Sequence, residues 1–268
     1  MIASGLLLQD LPGDDQLLDL VGPFMFLPVL QKVIIITNME PTPDVQTVLE
    51  AAARLQELVP DAVLVGGTAA ALYARHRVSL DDDHVVADLR ERYDEVLAAL
   101  EETDGWITAR VRRPVLILGR LDGVETGVRN LIRRRPLEIE EVAVGERTLR
   151  VPTLEEIARI KAWLCLMRNA TRDYLDFAAL ADRLGAAEAA GVVIAMDDYY
   201  ADQLGTGGRR IATQVTKQLA EPHPEDLSDV DLMTYRKLDR RWQDWNVVVG
   251  ACRRVALRVL DQLVEESS

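Results

Sequence analysis

The sequence predicts a mixed α/β (α+β) fold, a mixed-sheet domain followed by a helical domain. Two observations predict it. Between residues 62 and 152, short β-type runs alternate with helical periodicity, and after Pro152 strand signals largely stop while a capping box opens a series of helices. Composition agrees. The 268-residue chain is 49% apolar, with no low-complexity segment, enough to bury a sizeable core.

Taken in order, residues 1–38 read as an N-terminal extension, with a strand that joins the sheet as the alternative, since Val33 to Thr37 is a β-type run. An α/β domain over 39–152 follows. Thr42-Pro43 supplies an N-cap and a first-turn proline, and Val45, Val48, Leu49, Ala52, Leu55 and Val59 recur at helical spacing up to Pro60. Ala62 to Val65 reads as a short buried strand, Gly66-Gly67-Thr68 as a turn and Ala69 to Ala74 as a helix. Val85-Val86 suggests a strand, and Leu89, Val96, Leu97 and Leu100 mark a helix over 89–101. Strands at 107–112, 115–118, 124–128, 138–144 and 147–151 are joined by turns at Arg113-Pro114, Asp122-Gly123 and Gly145-Glu146. A helical domain over 153–268 starts at the capping box Thr153-Leu154-Glu155-Glu156. Its helices are expected to about 168, then at 171–184, 186–204, 209–220 and 228–264, with loops at Gly205 to Gly208 and Pro222-His223-Pro224.

A formal charge of −13 argues against a protein that coats nucleic acid, because neutralising phosphates supplies most of such affinity; a local basic patch stays compatible. Arg133-Arg134-Arg135 with Arg129, Arg147 and Arg150 is the basic cluster, either a solvated strand edge or a landing site for RNA phosphates. Cys165 and Cys252 cannot build a disulfide framework or a multi-cysteine zinc site and read as buried thiols. Gly22, Pro23, Pro28, Gln31 and Lys32 interrupt the longest apolar stretch, and no basic n-region opens the chain, so a cytoplasmic protein without a membrane partner is expected. Gly205 to Arg210 lacks the lysine and hydroxyl residue of a P-loop, and His76, His84 and His223 lack the context of a catalytic triad.

Chemistry concentrates in residues 63–86. Two glycines after a buried strand let backbone amides approach an anion, and the next helix presents its positive end there. Asp81 and Asp83 stand two apart, so on extended chain both carboxylates emerge on one side, a pair suited to Mg²⁺ beside a triphosphate. On the helix after Pro152, Lys161 sits one residue round from the stripe of Leu154, Ile157, Ile160 and Leu164 and is placed to reach a cleft. Asp173 and Asp176 extend the apolar face of the next helix, so they need a partner, for which Lys161 is the candidate; a salt bridge pinning two helices is the plainer alternative.

Gly66-Gly67-Thr68 followed by Arg77-x-Ser79-x-Asp81-x-Asp83 resembles the active-site signature of nucleotidyltransferases related to DNA polymerase β, most nearly the AbiEii/MenT type of toxin. Lys161, Arg168, Arg172, Asp173 and Asp176 match that family's second motif, and the resemblance covers about residues 60–185. It implies a nucleotidyltransferase that moves NMP from an NTP to a hydroxyl, with a tRNA 3′ end as acceptor and a cognate antitoxin as partner. It further implies that Asp81 and Asp83 hold Mg²⁺ (or Mn²⁺), while Gly66, Gly67, Thr68 and Ser79 hold the triphosphate with a contact from Arg77. Lys161 would offset phosphate charge, and Asp176, supported by Asp173, would orient Lys161 or accept the hydroxyl proton. Departures are Asp82 and His84 at positions that are apolar in the family, and a third carboxylate that alternation offers at Glu125 although Gly127 holds the expected place. They motivate a catalytically degenerate binding or regulatory module as the alternative, beside a small-molecule (antibiotic) nucleotidyltransferase.

Overall fold

The computed structural model describes residues 33–34, 43–204 and 210–266. Of the extension over 1–38 only 33–34 are described; the Thr42 cap and the Gly205 to Gly208 loop also lie outside the described residues.

The five-stranded sheet is built from β2 (Val63–Val65), β3 (Asp82–Val86), β4 (Trp106–Arg112), β5 (Leu116–Leu121) and β6 (Val124–Asn130), in the order β2-β3-β6-β5-β4. β3 and β6 run parallel and the other pairs antiparallel, so the sheet is mixed as expected. A second sheet joins β1 (Val33–Ile34), β7 (Ile139–Val144) and β8 (Arg147–Pro152). Thus the two described residues of the N-terminal stretch pair in parallel with β7.

One face of the large sheet is closed by α1 (Pro43–Leu58) and α3 (Tyr93–Glu101): Leu55, Val59, Val96, Leu97 and Leu100 pack on Val86, Ile117, Leu121 and Val128. The opposite face carries Asp83, Val85 and Arg129 toward a cleft. Beyond it lie α4 (Leu154–Met167), α5 (Thr171–Leu184), α6 (Ala186–Ile194), α7 (Met196–Tyr199), α8 (Ile211–Ala220) and α9 (Trp245–Glu266), around a core of Tyr174, Phe177, Val193, Val215 and Cys252. A further core cluster crosses residue 152, joining Leu49, Leu64, Ala69 and Leu149 to Ile157, Leu180 and Val192. Residues 32–268 accordingly form one compact unit. No helix among the described residues is long and apolar enough to cross a membrane.

The structure departs from the sequence reading where short-range polar chemistry interrupts helical periodicity. Gly66-Gly67-Thr68 forms the first turn of α2 (Gly66–Ala74), not a separate turn. The helix expected over 186–204 breaks into α6, α7 and a 3₁₀ turn at Ala201–Gln203. The one expected from 228 begins only at Trp245. In the intervening loop, Asp231, Asp239 and Asp244 accept hydrogen bonds from the backbone N–H two residues on, giving the chain a local alternative to the helix. The capping box is half formed. Thr153 accepts from the Glu156 N–H, but the Glu156 side chain turns inward to Arg133 and Arg159.

Candidate active site

The strand-to-helix junction is compressed onto the acidic strand. Gly66 adopts φ +76°, and a Cβ there would lie 3.2 Å from Asp83 Oδ2; a Cβ on Gly67 would run into Arg77 and stand 2.7 Å from Ser79 Oγ. Only glycine meets both demands, the left-handed backbone and the close approach. Thr68 donates to the Asp81 carbonyl at 2.6 Å, clamping the loop that carries the first aspartate. These contacts bring the two halves of the motif together in space.

β3 alternates as its pattern requires. Asp83 and Val85 face the cleft, whereas Asp82, His84 and Val86 are buried on the reverse side. Asp82 there receives Thr126 Oγ1 at 3.3 Å and lies 3.0 Å from His84 Nδ1, so the strand keeps the register that places Asp83 at the site. Asp81, just before the strand, has its carboxyl pushed above the ordinary value by burial and by the charges of Asp83 and Glu125, against the pull of Arg172 and Arg77.

The cleft has a volume of about 610 Å³. Gly66, Gly67, Ser79, Asp81 and Asp83 line it from the sheet side, Lys161 from α4, Arg168 from the cap that follows α4, and Arg172 from α5. Arg77 and Arg129 complete a strongly cationic wall in a chain of net charge −13. The acidic pair and the Lys161 amine, eighty residues apart, therefore share one crevice.

Lys161 is buried, its Nζ 2.7 Å from Asp176 Oδ2 and 3.3 Å from Asp173 Oδ1. Asp176 also accepts from Arg77 through Nε at 2.8 Å and Nη2 at 3.0 Å, and lies 2.7 Å from His76 Nε2. Asp173 takes both arms of Arg168, at 2.6 and 2.7 Å. Burial alone would raise the Asp176 pKa; Lys161, Arg77 and His76 instead hold it well below the usual carboxylate range. Burial likewise works against the Arg77 charge, yet Asp176 lifts that guanidinium above its ordinary value. Two carboxylates thus carry three cationic side chains, fixing them while leaving excess positive charge at the cleft wall.

Several expected residues stand elsewhere. Asp173 and Asp176 are fully buried and do not line the cleft, and Asp176 has its oxygens committed to three bases. That geometry suits it to orienting Lys161 and Arg77, not to taking a proton from a bound hydroxyl. Thr68 is buried and holds the motif loop instead of lining the cleft. Glu125 lies two residues before Gly127, which holds the expected third-carboxylate position, and it is exposed and paired with Arg120 at 2.9 Å. Gly127 is the direct neighbour of Asp83 on β6, and Arg129 Nε approaches Asp83 Oδ1 to 3.6 Å. Among the described residues no group of three or more His, Cys, Asp or Glu side chains is arranged to hold a metal. The donor set available to Mg²⁺ is the two-carboxylate pair, and it fits, because Mg²⁺ is commonly held by one or two carboxylates together with substrate phosphates.

The basic cluster disperses on folding. Arg133 is buried against Glu156, Arg147 and Arg150 lie on β8, and only Arg129 and Arg133 reach the cleft. Sequence reasoning missed His76, whose role depends on Asp176 a hundred residues away, and Thr234, Tyr235 and Arg236, which line the cleft from a segment read as helix. Trp163 and Tyr200, also at the cleft, stack at 4.4 Å.

No family model matches the chain. Over 253 residues it is 32% identical to the heme uptake protein MmpL11 of Mycobacterium tuberculosis, covering 83% of this chain and 23% of that protein. Over 132 residues it is 36% identical to the mycolic acid-containing lipids exporter MmpL11 of Mycolicibacterium smegmatis, covering 48% of this chain and 13% of that protein. The chain thus spans about a quarter or less of the length of these curated relatives. Among solved structures, it is similar to a Helicobacter pylori protein described as a candidate nucleotidyltransferase, at TM-score 0.51 and 17% identity, covering 85% of this chain and 98% of that one. JHP933 from Helicobacter pylori gives TM-score 0.51 at 16% identity, covering 84% and 96%. At this level of identity the likeness speaks to architecture, and the chain carries a mixed α/β fold of the nucleotidyltransferase type.

Proposed function

We propose that the protein transfers a nucleoside monophosphate from an NTP to a hydroxyl acceptor with Mg²⁺. The observation that carries this reading is one cleft lined together by Asp81, Asp83 and Lys161 among arginines. The Gly66-Gly67 amides, Ser79 and Arg77 would receive the triphosphate at the start of α2, whose N-terminus favours anions. Asp81 and Asp83 would hold Mg²⁺, which when bound supplies Lewis-acid polarisation of the phosphates. In the reaction the acceptor oxygen bonds to the α-phosphorus, the bridge to pyrophosphate breaks and the hydroxyl proton passes to water. Lys161 and Arg77, held rigid by Asp176, would offset the charge that accumulates on the departing pyrophosphate. The motif resemblance supports a tRNA 3′ end as acceptor and a cognate antitoxin as partner. Incubation with Mg²⁺, labelled NTPs and total tRNA tests the reading, with aminoglycosides as a second acceptor arm. Label on tRNA that disappears in Asp81→Asn supports it; label on the aminoglycoside alone moves the acceptor to a small molecule. No transfer from the wild type, or equal transfer by the variant, overturns it.

A second reading is favoured by Gly127 and Arg129 beside Asp83 and by the likeness to a fraction of a transport protein. In it the fold binds nucleotide as a regulatory module without turnover. Calorimetry separates the two: Mg²⁺-dependent NTP binding without pyrophosphate release supports the module.

A further inference from the structure

The open face of the large sheet continues past the cleft to its edge, and the register shows what stands on it. Asp83 on β3 aligns with Gly127 on β6, Leu118 on β5 and Arg110 on β4. The next row on the same face reads Val85, Arg129, Leu116 and Arg112. Arg120 and Glu125 pair on the row before. Outside the cleft this face thus carries Arg110, Arg112 and Arg120 against the single carboxylate of Glu125, and Arg129 continues the row into the cleft beside Asp83; all four arginines are exposed.

A β-bulge creates this arrangement. Ile107 faces Arg120 and Thr108 faces Gly119, but the register then shifts, so that Arg110 and not Ala109 faces Leu118. Without the extra residue, Arg110 would oppose Ile117, which is fully buried in the core on the reverse side. The bulge re-aims both Arg110 and Arg112 onto the open face, a use bulges commonly serve near functional sites. No carboxylate among the described residues forms an ion pair with Arg110 or Arg112. Strands lie about 4.8 Å apart and alternate residues about 6.8 Å apart, which spaces the guanidinium groups on the scale of successive phosphates of a nucleic acid strand.

We propose that this arginine row is a track for the phosphodiester backbone of a single-stranded polynucleotide, running from the β4 edge over Gly127 to present a 3′ hydroxyl beside Asp83. The proposal rests on the nucleotidyl-transfer reading and names the acceptor class. Gly127 then has a use: lacking a side chain, it keeps the passage between the track and the aspartate pair low. Exposed Ile107 and half-buried Leu116 and Leu118 offer apolar surface to ribose and base between the charges.

The test is fluorescence anisotropy with a short, 5′-labelled single-stranded RNA, comparing wild type with Arg110→Ala/Arg112→Ala, beside calorimetry of Mg²⁺–NTP binding on both. Both side chains are exposed and the double variant should fold as the wild type does, which circular dichroism verifies. The expected result is about a tenfold loss of RNA affinity and a salt slope shallower by roughly 1.5, with NTP binding unchanged. Unchanged RNA affinity in the variant, or no RNA binding by the wild type, overturns the track while leaving the NTP site standing. Preference of the wild type for a glutamate-rich peptide, lost in the double variant, overturns it in favour of a protein partner. If RNA binds through the arginines but NTP does not bind, the transfer reading falls, and with it the delivery of the 3′ end.

Discussion

Asp176 shows how one buried side chain organises the site. It has no exposed surface and fixes Lys161, Arg77 and His76 at once. Asp176→Asn leaves a buried amine and guanidinium short of their counter-charge and should cost about 3–5 kcal/mol, read as a lowered midpoint in urea. Its pKa in the folded protein lies well below the ordinary 3.8, so its ionised form stabilises the fold above that pH. That contribution should fade as the pH falls below about 4 toward the depressed folded value, and the variant should show a flatter acid limb of stability. Glu125→Gln tests a separate matter. If Glu125 is only a neighbour of Asp81, its removal lowers the Asp81 pKa, and the acid limb of Mg²⁺-dependent NTP binding moves to lower pH with the plateau retained. Loss of binding at every pH would instead mark Glu125 as a metal ligand. Gly66→Ala forces a side chain into positive φ beside Asp83 and should lower stability by about 1–2 kcal/mol and weaken NTP binding, both measurable on one preparation.

At the scale of elements, α4 matters because it carries Lys161 on one side, with Arg168 at its C-cap, while burying Ile157, Ala158, Ala162 and Cys165 on others. Its start is set by Thr153, whose side chain satisfies the Glu156 N–H. Thr153→Ala should cost about 1 kcal/mol in chemical denaturation. Its effect on NTP affinity should be small, since the Lys161 amine is held from α5. The α2–β3 connection depends likewise on Thr68: Thr68→Val removes the hydroxyl that clamps the Asp81 carbonyl and should weaken Mg²⁺-dependent binding more than it lowers the melting temperature. The loop between α8 and α9 is irregular because its aspartates bond to their own backbone, and this irregularity lets Thr234 to Arg236 run beside the motif, where the Arg236 carbonyl accepts from the Val78 N–H at 2.8 Å.

Across the molecule, the cluster of Leu64, Leu149, Ile157, Leu180 and Val192 joins strands to helices with no seam at residue 152. Unfolding should therefore be one cooperative transition over residues 32–268, with near- and far-ultraviolet circular dichroism changing together. Leu180→Ala, placed in that cluster, should lower stability by about 2–5 kcal/mol without splitting the transition; two separated transitions would mean that the sheet and the helices fold independently. The same continuity matters for the site, because the sheet half supplies the carboxylate pair and Arg77 while the helices supply Lys161 and the carboxylates that fix both cations, and neither half holds a complete cleft.

The sequence by itself determined the order of strands and helices, the placing of Asp81 and Asp83 on one side of an extended segment after the paired glycines, and the link of Lys161 to Asp173 and Asp176. These rest on spacing within one element or between neighbours, where period and burial leave few options. Tertiary structure alone decided the rest. It committed Asp176 to His76 and Arg77, scattered the Arg133 cluster and brought the Tyr235 segment to the cleft. Through a one-residue bulge it also turned Arg110 and Arg112 onto the face that carries the cleft. Each of those outcomes depends on a local slip in strand register or on contacts between residues far apart in the chain, which periodicity within one element does not specify.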